Sequence, residues 1–156
     1  MATDEPTPFF EWREQWMLDV GFMDEDHRNL ADLLNTLARR YGRSDRPARR
    51  GTSERTELLE ALEELGRQTR DHFRREEEVM RTLAYPGLAT HKAEHDLLIA
   101  EYRAMVREIS RSGSDRLEIE TLEALKQWLM GHALDDDKEL AVFLQHPPDQ
   151  TNENTP

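Results

Sequence analysis

The chain contains no cysteine. Iron–sulfur clusters, thiolate zinc sites, disulfides and cysteine nucleophiles are therefore excluded. No apolar run approaches the ~20 residues that a membrane helix needs, so no membrane insertion is expected. Glycine and proline are scarce, 7 of each in 156 residues, which leaves long stretches free of helix breakers. Positive charge is in deficit, with 21 Lys and Arg against 33 Asp and Glu and a net charge of −12. That balance argues against nucleic acid and anionic membranes as partners. The N-terminal stretch MATDEPTPFF is acidic and carries proline, unlike a secretory signal, and the expected location is the cytoplasm.

What the chain does have is 37% hydrophobic and 35% charged residues, a mixture typical of amphipathic helices with solvated outer faces. Four segments carry apolar residues at alternating spacings of three and four. The first runs from about Met23 to Tyr41, with Asp24 as the expected N-cap and His27, Leu30, Leu34 and Leu37 on its stripe. A basic loop follows, GRSDRPARRGTS, with Arg43, Arg46, Arg49 and Arg50. The second segment runs from Glu54 to Leu83 behind an expected N-cap at Ser53; its stripe includes Leu58, Leu62, Leu65, Thr69, His72, Glu76, Val79 and Leu83.

Tyr85-Pro86-Gly87 ends that helix. The third stripe holds Leu88, His91, His95, Leu98, Tyr102, Met105 and Ile109, and the fourth holds Leu122, Leu125, Leu129 and His132. The short connections predict an all-α, up-down-up-down four-helix bundle over 23–145. An aromatic arm over 1–22, with Phe9, Phe10, Trp12 and Trp16, is expected to pack on it, and 146–156 reads as a disordered tail.

Five of the six histidines fall on these inward stripes. One histidine on an apolar stripe is more often a hydrogen-bonded core residue than a ligand. Pairs carry more weight. His91 and His95 lie one helical turn apart on one face, and His72 with Glu76 repeats that spacing on another helix. A buried carboxylate without a cation costs several kcal/mol or must take up a proton. Five buried imidazoles would also each need a polar partner in a core that offers few. A buried metal centre of imidazole and carboxylate donors is the reading that satisfies them together. Such donors on their own suit iron, manganese or zinc. Glu77 and Glu78 lie off the stripe and read as solvated acids; His146, beside two prolines, reads as a solvated histidine.

Three acids follow His132. Helical geometry puts Asp136 about 40° round from it, Asp135 about 60° the other way and Asp137 about 140° away. Periodicity therefore favours Asp136 as the same-face partner without deciding the matter, since a residue bridging two ions need not share the histidine's direction.

The order of motifs is specific: a tryptophan at 12, DEDH at 24–27, HFRREEEVM at 72–80, YPGLATHKAEH at 85–95 and WLMGHALDDDK at 128–138. This pattern resembles the hemerythrin family, its bacterial branch in particular, from Trp12 to Leu144. The resemblance implies a centre of two iron ions (Fe2+/Fe3+) joined by an oxo or hydroxo bridge. His91, His95 and His132 would serve one ion, His27 and His72 the other, and Glu76 and Asp137 would span both. The resemblance thus selects Asp137 where periodicity favours Asp136.

It also implies reversible O2 binding at the two-histidine ion, inside a dry pocket of Leu30, Phe73, Trp128, Leu129 and Ala133. Ala133 departs from the family pattern, which generally carries a bulky Ile after that histidine, so a larger or more open pocket is expected. The implied role is an oxygen carrier or store rather than an enzyme. The alternatives are an oxygen or redox sensor acting through a separate partner, and a di-iron enzyme handling peroxide or nitric oxide. A protein recipient of O2 is conceivable, and nothing in the chain identifies one.

Overall fold

The protein is described by a computed structural model covering residues 7–42 and 52–148. The arginine loop and the end of the tail fall outside these residues. Five helices follow a short 3-10 turn at Glu14–Trp16: α1 Gly21–Tyr41, α2 Thr52–Thr82, α3 Leu88–Ser112, α4 Ile119–Leu134 and α5 Asp136–Gln145. The helix α1 packs on α2 and α4, α2 on α3, and α3 on α4. Chain neighbours are thus spatial neighbours and the ring closes, as an up-down-up-down bundle requires. Between α4 and α5 only Asp135 intervenes, at φ −104° and ψ −74°, so these two helices form one broken fourth rod. Among the described residues no helix is long and apolar enough to cross a membrane.

Two apolar clusters fill the bundle. The larger joins Leu30, Leu34, Leu37 and Tyr41 of α1 to Leu58, Leu62 and Leu65 of α2, Tyr102 and Ile109 of α3, and Leu122, Leu125 and Leu129 of α4. The smaller gathers Met23, Met80 and Leu140 at the opposite end, with Val20, Leu88 and Leu144 against it. Burying a Leu or Met side chain contributes about 1.5–3 kcal/mol, so both ends are anchored and the layer between them is held from either side. On α2, Gly66 faces Tyr102 of α3: a Cβ there would lie 2.7 Å from Cε1 of Tyr102. The Tyr102 hydroxyl donates to the Leu62 carbonyl at 2.5 Å.

The described part of the arm, from residue 7, packs on the bundle. Phe10 is buried and stacks with Trp16 at 5.7 Å. Its N–H donates to Asn35 Oδ1 at 2.7 Å, and Asn35 Nδ2 donates back to the Phe10 carbonyl at 2.6 Å.

Several local expectations need correction. Asp24 is not an N-cap: its own N–H already bonds the Val20 carbonyl inside α1, and its buried carboxylate accepts from the Leu18 N–H at 2.7 Å. Ser53 lies within α2, whose first described residue is Thr52. Leu83 is 44% exposed while Met80 is fully buried, because the stripe proceeds by fours from His72 through Glu76 to Met80. His146 is exposed, as expected.

Candidate metal centre

The layer between the two apolar clusters is polar. His27 comes from α1, His72 and Glu76 from α2, His91 and His95 from α3, His132 from α4 and Asp137 from α5; all seven are buried. The i,i+4 spacings on α2 and α3 aim two side chains each at one point, and the break at Asp135 turns Asp137 inward. Two overlapping donor sets result, Glu76–His91–His95–His132–Asp137 and His27–His72–Glu76–Asp137, the ligand atoms of each lying within 4.8 Å of one another. Glu76 and Asp137 belong to both.

Some of these atoms pair with each other, as His27 Nε2 does with Asp137 Oδ2 at 2.8 Å, but others converge without pairing. His72 Nε2 and Glu76 Oε1 lie 3.0 Å apart, and His91 Nε2 and Asp137 Oδ1 3.2 Å apart, yet none of the four has a hydrogen-bond partner. Two ring nitrogens, Nε2 of His95 and Nε2 of His132, face each other at 3.0 Å. Orphaned buried polar atoms are costly, and cations held in the two donor sets would satisfy them. The donors are imidazole nitrogens and carboxylate oxygens with no sulfur, a set that suits iron, manganese or zinc. The residues fit a buried metal.

Without a metal the groups must pair among themselves. Burial pushes His91 and His132 down, but Asp137 and Glu76 outweigh it and raise them to about 9 and about 10. Burial also opposes charge on His72, whose neighbours Glu76, Asp137 and Asp26 raise it nonetheless. Burial and the Asp137 charge push Glu76 up, yet His72 and His132 hold it well below the usual carboxylate range. Asp137 is held low against burial by His132, His27, His72 and His91.

A ring of acids surrounds the donors. Asp26 Oδ2 lies 2.9 Å from His72 Nδ1, Glu77 Oε1 3.0 Å from His95 Nδ1 and Asp136 Oδ2 3.1 Å from His132 Nδ1. Each orients a ring so that its other nitrogen faces inward. Glu77 is thus not the solvated acid expected from its place off the stripe: its side chain is only 15% exposed. The contest between Asp136 and Asp137 ends with both beside His132, at opposite nitrogens. Sequence reasoning missed Asp26 and Glu77. Their one signal is position, each being the acid that directly adjoins an inward donor.

Beside the donors is a small cavity, about 10 Å³, room for one water-sized guest. Leu30, Phe73, Trp128, Leu129 and Ala133 all line it, together with His27, His72, His132 and Asp137. Thr69 and Leu98 also line it and were not foreseen as pocket residues. The Thr69 hydroxyl donates back to the Leu65 carbonyl at 2.9 Å, and Trp128 Nε1 donates to the Leu98 carbonyl at 2.9 Å, so neither wall group is left unpaired.

An antiparallel helical bundle with a buried histidine/carboxylate layer defines a class, the helical cation-binding proteins with imidazole and carboxylate donors. Within it, the chain belongs to the hemerythrin family: the model of the Hemerythrin HHE cation binding domain matches residues 18–144. It is 29% identical to a bacteriohemerythrin of Stenotrophomonas maltophilia over 133 residues, covering 83% of this chain and 78% of that protein. It is 30% identical to a bacteriohemerythrin of Methylococcus capsulatus over 120 residues, covering 77% and 84%. A myohemerythrin of Theromyzon tessulatum is 27% identical over 132 residues, covering 85% and 90%. The crystal structure of a wild-type hemerythrin superposes with a TM-score of 0.70 at 24% identity, covering 86% of this chain and 96% of that one.

Proposed function

We propose that this protein binds O2 reversibly at two iron ions and acts as an oxygen carrier or store in the cytoplasm, not as an enzyme. In this reading His91, His95 and His132 hold one ion and His27 and His72 the other. Glu76 and Asp137 span both. Iron held by these residues would supply the electrons for reversible O2 binding.

One observation carries the reading: the cavity borders the donor-poor set. Both histidines of that set, His27 and His72, line it, whereas of the three histidines in the other set only His132 does, so the space for a small guest lies mainly where fewer side chains fill the coordination sphere. The walls serve the same end. Leu30, Phe73, Leu98, Leu129 and Ala133 present hydrocarbon, and excluding water from such a site suppresses side reactions and proton leakage. Phe73 also lies flat on His95, with ring centroids 3.8 Å apart, and so fixes that ring against tilting. With five imidazoles among seven donors, the set carries less negative charge than the carboxylate-rich di-iron bundles. That balance favours binding over oxidative chemistry.

The test is stoichiometry. Iron-loaded protein is expected to hold two irons per chain and to take up one O2 per pair, releasing it under argon. Catalytic consumption of peroxide or nitric oxide well above that of free iron would favour an enzyme instead. A partner captured from oxygenated but not anaerobic lysate would favour a sensor.

A further inference from the structure

The three outer acids follow a rule. Each adjoins one inward donor in sequence and grips the ring of another: Asp26, next to His27, reaches His72; Glu77, next to Glu76, reaches His95; Asp136, next to Asp137, reaches His132. Two of the three therefore serve the set that already has more donors.

The single acid on the other side is also the most compensated. Arg75 binds Asp26 with Nη2 2.7 Å from Oδ1 and Nε 2.9 Å from Oδ2. Among the described residues Glu77 has only Lys92, at 4.0 Å. One histidine of each set lacks an outer carboxylate among the described residues: His91 in the richer set and His27, whose Nδ1 is buried without an acceptor, in the poorer.

From this asymmetry we infer that the two metal positions are unequal and fill in order. The His91–His95–His132 position, backed by Glu77 and Asp136, binds first and tightly. The His27–His72 position binds second and exchanges its ion more readily. A carboxylate on the outer nitrogen makes an imidazole a better donor and fixes its ring, and losing such a contact typically costs about 10- to 100-fold in metal affinity. Glu77 and Asp136 are positioning residues for one ion and Asp26 for the other. The inference rests on the two-ion reading.

The experiment equilibrates the iron(II)-loaded full-length protein under argon against graded chelator and counts iron per chain. The unsubstituted protein is expected to lose iron in two steps with a plateau at one. Glu77→Gln and Asp136→Asn weaken the tighter step by about 10- to 100-fold, narrowing or erasing the plateau. Asp26→Asn moves only the weaker step. Glu78→Gln, one residue along on an exposed acid paired with Arg81, moves neither. Far-UV circular dichroism of each variant separates a changed step from a changed fold, and a purely structural defect would move both steps together. A single step for two irons in the unsubstituted protein, or an Asp26→Asn effect on the tighter step, overturns the inference. A protein that never holds two irons overturns the two-ion reading itself.

Discussion

Asp136 and Asp137 are consecutive, yet they take opposite ends of one imidazole. Asp136 Oδ2 lies 3.1 Å from Nδ1 of His132 and Asp137 Oδ1 lies 2.9 Å from its Nε2. The break at Asp135 makes this arrangement reachable, because an unbroken helix would turn Asp137 away from His132.

The two acids should consequently fail differently. Asp137→Asn removes the charge that faces His27, His72, His91 and His132 together, and iron content is expected to fall below about one per chain, whereas Asp136→Asn keeps both irons when no chelator competes. Elemental analysis of the two variants decides it. Full iron in Asp137→Asn, with loss in Asp136→Asn, would reverse the roles.

Ala133 is buried and lines the cavity. Ala133→Ile inserts three carbons into a space of about 10 Å³, an overpacking that costs about 1–3 kcal/mol of stability. The variant should melt earlier, autoxidise more slowly and admit azide more slowly. Stopped-flow absorbance reads the last two; unchanged rates would leave Ala133 a packing residue only.

The metal-free protein should show a distinctive pH profile. His91 and His132 are raised from 6.5 to about 9 and about 10. A raised pKa contributes stability that is complete below about pH 6.5 and fades as pH climbs through the folded-state values. Metal-free protein should therefore lose melting temperature between about pH 6.5 and 10. Loaded protein, whose ligands are already deprotonated, should lose less, so the gap widens. Thermal melts of both forms across that range test it, and parallel curves would contradict it.

Gly66→Ala separates propensity from packing. Alanine gains about 0.8–1 kcal/mol over glycine inside a helix. Its Cβ would also sit 2.7 Å from the buried Tyr102 ring, and such overpacking costs about 1–3 kcal/mol. The clash should win by about 1 kcal/mol, seen as a lower urea midpoint. A higher midpoint would mean that α2 and α3 separate easily.

Much of this site was legible in the residues themselves. His72 with Glu76 and His91 with His95 declare themselves because i,i+4 spacing on an apolar stripe leaves a polar pair nowhere to point but inward. The choice of Asp137 came from motif resemblance, since periodicity cannot foresee the break at Asp135. The outer acids were illegible for another reason. Asp26 finds His72 46 residues away and Glu77 finds His95 18 residues away, so each contact depends on how two helices rotate against each other. Likewise the burial of Met80 in place of Leu83 reflects a stripe that advances by fours, a choice that packing makes.

The most direct test is a visible spectrum of the iron-loaded protein cycled between air and argon. Charge-transfer bands that appear in air, vanish under argon and return over several cycles are the predicted result. A colourless protein carrying stoichiometric zinc, or bands that appear once and never reverse, would contradict reversible oxygen binding.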